Sequence, residues 1–351
     1  MTLKGHKSHF NVKFLKGYGL SVSLKNNKII LKDGYNPFAK SESEEWFIKN
    51  MPYEKIVLSG KGYISTEAIT LLNQNNRNII LVDIHGKPVS LINGSMDSLT
   101  ATHYRIGQYD TFRDKKKREY LCRQIVKAKI QSHIRFLKSI PEIDDEVLVA
   151  FEHGDFNKPI TFEAKLGRKY FRIFASLIPK KFGFESRNQT QVSISKKHAT
   201  DVINALLNYG YSVLAGEISK YVCGIGLDPY YGFYHKSHTG FQPLVYDLME
   251  PFRWLVDYSV YKLANEHNKA HRIYQKDYVF TKDGSVILDY DLIKRFLELL
   301  ERTFQKERRY AFRHGAKTKD GLKSCQEITI VKIAVQNLAD FCLEKKNHFV
   351  I

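Results

Sequence analysis

The chain has 351 residues, of which 43% are hydrophobic and 13% are aromatic, so it can bury a sizeable core and is not an intrinsically disordered chain. Its 55 Lys and Arg residues outnumber its 37 Asp and Glu residues and give a formal net charge of +18, which favours a polyanionic partner such as nucleic acid or an acidic membrane surface. Four isolated cysteines without a CxxC pair argue against a zinc finger, and the lack of a signal-like N-terminus or of a long apolar run predicts a cytoplasmic protein that does not span a membrane.

The first part of the chain, residues 1–100, is predicted to be a small β-strand-rich domain. β-Branched and aromatic residues alternate there with Asn, Gly and Asp at the turns. The predicted strands cover 9–14, 20–24 and 28–34. The segment TEAITLLNQ predicts a short helix that is capped by Ser65 or Thr66. The segment 78–92, NIILVDIHGKPVSLI, predicts two strands that are joined by a His-Gly-Lys turn.

Residues 104–351 are predicted to form a larger all-α domain, so the expected fold class is α+β with the strands first. Apolar residues recur there with the helical period, and polar residues occupy the positions between them. The predicted helices cover 111–140, 163–178, 200–226, 249–274, 291–310 and 327–346.

Two motifs are similar to known phosphate-binding and metal-binding motifs, but each lacks a residue that the function requires. SGKG at 59–62 lacks the Lys-Ser/Thr pair of a phosphate-binding loop, so a turn at a strand end is the better interpretation. His267 and His271 are four residues apart on a predicted helix, but the glutamate of HExxH is missing between them. A solvated or DNA-facing surface is favoured for these histidines over a metal site.

Two basic clusters, 113–118 and 306–323, are candidates for contacts with phosphates. Acidic residues are scarce in the second cluster, and aromatic residues are interleaved with its cations, which favours phosphate binding over a merely solvated face. The candidate DNA-binding residues are Lys306, Arg308, Arg309, Arg313, Lys115 and Lys116.

The stretch GFYHKSHTGFQPLVYDLMEPFR, together with the preceding helix, offers ligands for a divalent metal. Glu217 lies in an otherwise apolar stretch, His235 lies in a loop, and Glu250 precedes Pro251 at a predicted helix start. Metals that act on phosphodiesters prefer carboxylate oxygens and accept imidazole. An ordinary structural interpretation, in which Glu217 pairs with an arginine and Glu250 caps its helix, explains the spacing equally well.

The long runs RNQTQVSISKKHATDVINALLNYGYSVLAGE and GLDPYYGFYHKSHTGFQPLVYDLMEPFRWLVD closely resemble CRISPR-associated protein one, the integrase and endonuclease of spacer acquisition. The segments IVLSGKGYISTEAITLL, NIILVDIHGKP and RQIVKAKIQSHIRFL resemble other parts of the same family. The likeness covers most of residues 1–260, and the remainder fits more loosely.

The resemblance implies a function, a metal site and partners. It assigns Glu217, His235 and Glu250 as catalytic ligands of Mg²⁺ or Mn²⁺, with Asp247 in support. It implies a homodimer that forms through the β-domains and acts with CRISPR-associated protein two. The expected reaction inserts a double-stranded spacer precursor into the CRISPR repeat by attack of a DNA 3′-hydroxyl on a phosphodiester, and water as nucleophile makes the same site a nuclease. The alternative hypothesis is a non-catalytic structural nucleic-acid-binding protein, for which loss of Glu217 or of metal would be harmless.

Overall fold

The structure is a computed structural model of the chain. It describes residues 12–35, 41–53, 55–75, 77–82, 88–92, 99–141, 143, 159–187, 199–236, 241–269, 271–311 and 322–351. The chain divides into two compact units, which we call the sheet unit and the helical unit. The sheet unit comprises residues 1–106 and 219–228, and the helical unit comprises residues 107–218 and 229–351.

A mixed sheet forms the centre of the sheet unit. Its described strands are β1 (Val12–Lys25), β2 (Lys28–Lys32), β3 (Ser43–Phe47), β4 (Lys55–Ile64), β5 (Asn78–Val82) and β6 (Pro88–Ile92). They lie in the order β3-β2-β1-β4-β5-β6, and the pairs β1–β4 and β4–β5 are parallel. Alternate residues such as Leu20 and Val22 of β1 are buried in the core of this unit, as the two-residue period of a strand requires.

Helix α1 (Thr66–Gln74) follows β4 and leads into the parallel strand β5. The hydroxyl of Ser65 accepts a hydrogen bond from the amide of Ala68 at 3.2 Å, so Ser65 is the N-cap, which the sequence left open between Ser65 and Thr66. Strands β5 and β6 are the antiparallel pair that was predicted within 78–92. The predicted His-Gly-Lys turn, residues 85–87, lies outside the described residues.

The described parts of two predicted strands belong to a single element, and residues 9–11 of the first prediction lie outside the described residues. The segments predicted at 9–14 and 20–24 are not separated by a turn, because β1 continues through Gly17 and Gly19 with positive φ angles of 97° and 79°. Glycine tolerates these angles and also permits close approach, since a Cβ on Gly60 of β4 would lie 2.1 Å from the carbonyl oxygen of Gly17. The SGKG motif at 59–62 therefore lies inside β4 and not in a turn at its end.

The elements after the sheet are mainly helical. The described helices are α2 (Leu99–Arg113), α3 (Lys115–Lys138), α4 (Pro159–Ser176), α5 (Val202–Ile225), α6 (Pro243–Met249), α7 (Trp254–Ala264), α8 (Tyr290–Gln305) and α9 (Glu327–Cys342). Two antiparallel ribbons accompany them, β7 (Tyr278–Phe280) with β8 (Val286–Leu288) and β9 (Glu307–Ala311) with β10 (Leu322–Gln326). The strands-first α+β fold class is confirmed. None of the described helices is both long and apolar enough to cross a membrane.

Several predicted helix bounds were wrong for identifiable reasons. The helix predicted to begin at 111 is interrupted at Asp114, whose carboxylate accepts from the amide of Lys117 at 2.9 Å and starts α3. The helix predicted over 249–274 ends at Ala264, so His267 and His271 do not share a helical face and are both exposed. Residues 307–310, predicted as the end of a helix, form β9 because β10 supplies their hydrogen-bond partners.

Close packing of the central helices depends on one glycine. A Cβ on Gly210 of α5 would lie 2.4 Å from Cγ1 of Val256 in α7 and 2.9 Å from the ring of Phe296 in α8. Helix α5 can therefore approach both neighbours only because no side chain is present at this position. This packing fixes α7, and the short turn before it carries Glu250.

Candidate active site

The carboxylate of Asp247 organises the loop that carries the candidate histidine. Asp247 lies in α6 and is fully buried. Its Oδ2 accepts hydrogen bonds from the amides of Phe233 and Tyr234 at 2.7 and 3.1 Å, and its Oδ1 accepts from the amide of His235 at 2.8 Å. One side chain thus satisfies three consecutive backbone donors, which fixes the path of the loop.

Gly232 makes this arrangement sterically possible. A Cβ at this position would lie 2.6 Å from Oδ2 of Asp247 and 2.8 Å from Cβ of Pro243. Any larger residue would push the carboxylate away from the loop amides. The glycine that opens the stretch GFYH therefore has a packing reason, because it leaves room for the side chain that holds the histidine.

The imidazole of His235 is oriented by the same carboxylate. Nδ1 lies 2.7 Å from Oδ1 of Asp247, and Nε2 lies 4.0 Å from Oε1 of Glu250. Burial lowers the pKa of His235, but the hydrogen bond and the charge of Asp247 outweigh burial, so the net shift is upward. In the neutral tautomer with the proton on Nδ1, Nε2 is left as the basic nitrogen that faces Glu250.

Glu250 is held between two cations. It lies in a short 3₁₀ turn, Glu250–Phe252, and its side chain is 5% exposed. Oε2 lies 2.5 Å from Nζ of Lys129, and Oε1 accepts from Nη1 of Arg253 at 3.0 Å. Burial raises the pKa of Glu250, but Lys129 and Arg253 outweigh burial and bring the pKa to about 2. Glu250 is therefore a carboxylate at neutral pH and does more than cap a helix.

Lys129 was missed in the sequence analysis. It follows Ile125 and precedes His133 at four-residue spacing on α3, and both of those neighbours are buried. That period places Lys129 on the inward face, where its Nζ also forms an ion pair with Glu163 of α4. A lysine at this spacing among buried residues was the signal that could have identified it.

Arg253 was also missed in the sequence analysis. A cluster of buried polar side chains holds its guanidinium in position. Its guanidinium lies 4.1 Å from the ring centroid of Tyr211 in α5. The hydroxyl of Tyr211 donates to Asp257, which also accepts from the hydroxyl of Tyr170 at 2.7 Å. Since Tyr170, Tyr211 and Asp257 are all buried, the cluster gives Arg253 a defined position beside Glu250.

Glu217 lies on α5, and its Oε2 oxygen is shielded from solvent. In the part of the chain that the structure describes, no group of three or more His, Cys, Asp or Glu side chains is arranged closely enough to hold a metal ion. The structure thus brings His235, Asp247 and Glu250 together without a complete three-ligand sphere. The assignment of Glu217 as a ligand stays a prediction.

The donors that do meet fit a hard divalent cation. Imidazole nitrogen and carboxylate oxygen are ligands that Mn²⁺ accepts, and a separation of 4.0 Å between Nε2 of His235 and Oε1 of Glu250 is compatible with one ion between them. Asp247 supplies the outer carboxylate that commonly orients a ligating histidine. In this side-chain arrangement, however, Lys129 and Arg253 neutralise the charge of Glu250.

The predicted DNA-binding residues differ in their surroundings. Lys115, Lys116, Lys306 and Arg309 are exposed. The guanidinium of Arg308 instead donates to both carboxylate oxygens of Glu327, from Nε at 2.7 Å and from Nη2 at 3.1 Å. Arg308 therefore has a structural partner already, and Arg313 lies outside the described residues.

Comparisons with known proteins agree on one family. The family model of CRISPR associated protein Cas1 matches residues 14–302. CRISPR-associated endonuclease Cas1 1 of Archaeoglobus fulgidus is 28% identical over 275 residues, which are 71% of this chain and 76% of that protein. CRISPR-associated protein Cas1 3 of Methanobrevibacter ruminantium is 30% identical over 275 residues, 72% of this chain and 77% of that protein.

A solved structure shows the same fold. A casposase bound to its integration product is 25% identical and superimposes with a TM-score of 0.73, covering 97% of this chain and 92% of the casposase. The matched region of the family model includes Glu217, His235, Asp247 and Glu250, which all lie in the two long runs that carry the resemblance.

Proposed function

The chain belongs to the CRISPR associated protein Cas1 family, and from this premise we propose that it is a metal-dependent DNA endonuclease and integrase of CRISPR adaptation. The observation that carries the proposal is the approach of His235 Nε2 to Glu250 Oε1 at 4.0 Å, with His235 oriented by the buried Asp247. These groups come from separate elements, and a purely structural ion pair would not require the imidazole to be fixed so closely.

The proposed reaction is a transesterification at phosphorus. The 3′-hydroxyl oxygen of the incoming DNA loses its proton and forms a bond to the scissile phosphorus. The bond from that phosphorus to the leaving 3′-oxygen breaks, and the leaving oxygen takes up a proton. The number of phosphodiester bonds stays the same, so the step needs no energy from a nucleoside triphosphate. A bound Mg²⁺ or Mn²⁺ would polarise the phosphate and lower the pKa of the attacking hydroxyl.

The residues of the chain have distinct tasks in this proposal. His235 and Glu250 present a nitrogen and an oxygen donor to one side of the site, and Glu217 is the proposed third ligand. Asp247 holds the Nδ1 proton of His235 and so keeps Nε2 available. Lys129 and Arg253 lie beside Glu250 and balance its charge in this arrangement.

Double-stranded DNA is the proposed substrate because of the charge of the protein. The net charge is +18, and the exposed cations Lys115, Lys116, Lys306 and Arg309 all belong to the helical unit that carries the site. Binding that neutralises phosphates releases counterions, so affinity should fall steeply with salt. The spacer precursor and the CRISPR repeat are the two DNA partners implied by the family.

The sheet unit is the proposed dimerisation region. Tyr18 and Tyr35, which pair across an isolated bridge, are 72% and 70% exposed, and Tyr63 of β4 is 62% exposed. Large exposed aromatic side chains on one sheet are typical of an interaction surface. We further propose CRISPR-associated protein two as the partner of such a dimer, on the basis of the family alone.

A strand-transfer assay with a labelled duplex and a plasmid that carries a repeat tests the proposal. Glu217→Ala, His235→Ala and Glu250→Ala should each abolish product formation in Mn²⁺ while a titration shows nearly unchanged DNA binding. His267→Ala, at an exposed histidine, is the matched control and should keep full activity. A non-catalytic nucleic-acid-binding protein would give no product in any metal, and retained turnover in all three variants would refute the assignment.

A further inference from the structure

Lys129 stands between two carboxylates from different elements. Its Nζ lies 2.5 Å from Oε2 of Glu250 and also forms an ion pair with Oε1 of Glu163 in α4. The three side chains are 12%, 5% and 21% exposed for Lys129, Glu250 and Glu163, so water reaches the group only at its edge. The ammonium therefore occupies one face of a carboxylate that the proposed function needs as a ligand.

We propose that Lys129 is a built-in counter-ion of Glu250 that competes with the divalent cation, and that Glu163 holds Lys129 when the cation is bound. Lys129 is thus a positioning residue that sets how much divalent cation the site requires. The inference rests on the proposed function, because it assumes that Glu250 ligates the metal.

Electrostatics gives the direction of the effect. Without a divalent cation, the carboxylate of Glu250, at 5% exposure, is stabilised by positive partners, and Lys129 supplies one of them beside Arg253. A divalent cation at Glu250 repels the ammonium and removes the need for it. Both effects make Lys129 oppose binding of the cation.

Glu163 makes the displacement of Lys129 feasible. The ammonium of Lys129 has three donors, and one of them already donates to Glu163. A shift away from Glu250 therefore leaves the ammonium with a carboxylate partner. Without this second carboxylate, Lys129 would depend on Glu250 and would resist the cation more strongly. The two residues therefore have opposite predicted effects on cation affinity.

Arg253 is not suited to the same role. Its guanidinium packs against the ring of Tyr211 at 4.1 Å, and the buried Asp257 accepts a hydrogen bond from the hydroxyl of that tyrosine. A planar cation that is stacked in this way loses contacts when it moves. Lys129 has a flexible side chain between two acceptors, so it is the cation that can move away from Glu250.

The test is calorimetric titration of MnCl₂ into the full chain without DNA, so that the readout does not depend on turnover. Lys129→Met should bind Mn²⁺ on the order of tenfold more tightly than the wild type. Glu163→Gln should bind it about threefold more weakly and should lose this effect in the Lys129→Met background. Lys127→Met on α3 and Glu185→Gln, both at exposed positions, are matched controls that should bind as the wild type does.

The outcomes separate this inference from the proposed function. If the wild type binds Mn²⁺ and His235→Ala weakens binding, the metal site stands, and unchanged or weaker binding in Lys129→Met then overturns the counter-ion role alone. Absence of Mn²⁺ binding to both the wild type and Lys129→Met overturns both. Should Lys129→Met fail to fold, Glu163→Gln decides, since binding equal to that of Glu185→Gln contradicts the inference.

Discussion

One oxygen of Asp247 holds both the backbone and the side chain of His235. Oδ1 accepts from the His235 amide at 2.8 Å and lies 2.7 Å from its Nδ1. The rotation of the imidazole is therefore coupled to the path of the loop, and the position of Nε2 relative to Glu250 depends on a residue that need not touch the metal.

Asp247→Asn should therefore weaken both the fold and the site. An amide NH₂ in place of Oδ2 would face the backbone amides of Phe233 and Tyr234. Because all of these groups are donors, both hydrogen bonds would be lost. We expect the free energy of unfolding to fall by about 1–3 kcal/mol and the affinity for Mn²⁺ to fall roughly 10–100-fold. Urea unfolding and calorimetric titration measure the two effects.

The matched control is Asp110→Asn at an exposed position of α2, which should change neither quantity. Equal stability and equal Mn²⁺ affinity of Asp247→Asn and Asp110→Asn would show that Asp247 does not position the site.

Two neighbouring arginines of β9 should respond differently to the same substitution. Arg308 and Arg309 point to opposite faces of the strand, and Arg308 holds both oxygens of Glu327, a residue that is 2% exposed. Arg308→Gln leaves this carboxylate buried without its partner, so we expect a loss of about 3 kcal/mol in unfolding free energy. Arg309→Gln should stay within about 0.5 kcal/mol of the wild type.

DNA binding should show the reverse order. If Arg309 contacts a phosphate, Arg309→Gln should reduce the slope of log affinity against log salt by about 1 without a change of stability. Fluorescence anisotropy with one duplex at several salt concentrations measures the slope. A slope that is identical to that of the wild type removes Arg309 from the DNA contacts.

His133 should make the protein less stable in mild acid. It is buried on α3 with its ring stacked 3.7 Å from that of Tyr170, and burial together with the Lys129 cation lowers its pKa well below the ordinary value. Near pH 6.5 the histidine is protonated in the unfolded chain but stays neutral in the folded chain. The free energy of unfolding is therefore highest above that pH and falls as the pH drops below it.

His133→Phe should flatten this dependence. The loss below pH 6.5 should be at most about 1.4 kcal/mol per pH unit for one proton, and the variant should lose correspondingly less between pH 6.5 and 5. The control is His267→Phe at an exposed site, which should follow the wild type. Urea unfolding at three pH values decides, and parallel curves for wild type and His133→Phe would contradict the prediction.

Glu44 should stabilise the sheet unit. It lies on β3 and accepts from Nζ of Lys13 at 2.5 Å, from Nε1 of Trp46 at 2.9 Å and from the hydroxyl of Tyr53 at 2.8 Å. Burial raises the pKa of Glu44, but these three donors outweigh burial and lower it. Its contribution is therefore present above the ordinary pKa of a glutamate and is lost as the pH falls through the lowered value.

Glu44→Gln should cost about 1–3 kcal/mol at pH 7, and the difference from the wild type should shrink below about pH 4.5. Glu45→Gln is the matched control, because that side chain is 55% exposed on the opposite face of β3. Equal unfolding free energies of the two variants at pH 7 would exclude the role of Glu44.

The order of the elements could be predicted from the sequence, and so could several side chains that the structure brings close together. Strand alternation in the first part and helical period in the second gave the strands-first α+β fold class, and Ser65 was among the proposed caps. Glu217, His235 and Glu250 were the predicted ligands with Asp247 in support; the structure places Nε2 of His235 4.0 Å from Oε1 of Glu250, and the role of Glu217 stays a prediction. The bounds failed where a local pattern was ambiguous, as in 307–310, whose charged residues fit a helix as well as a strand.

What the sequence by itself determined was the identity of the family, the order of sheet and helices, and the acidic and imidazole groups that are candidates for the chemistry. Only the tertiary structure decided that Lys129 and Arg253 neutralise Glu250, that Asp247 holds three successive amides, and that residues 307–311 become a strand. The physical reason is that these outcomes depend on partners supplied by distant parts of the chain. Hydrophobic periodicity reports which face of an element is buried, but it does not report which charged group will lie opposite.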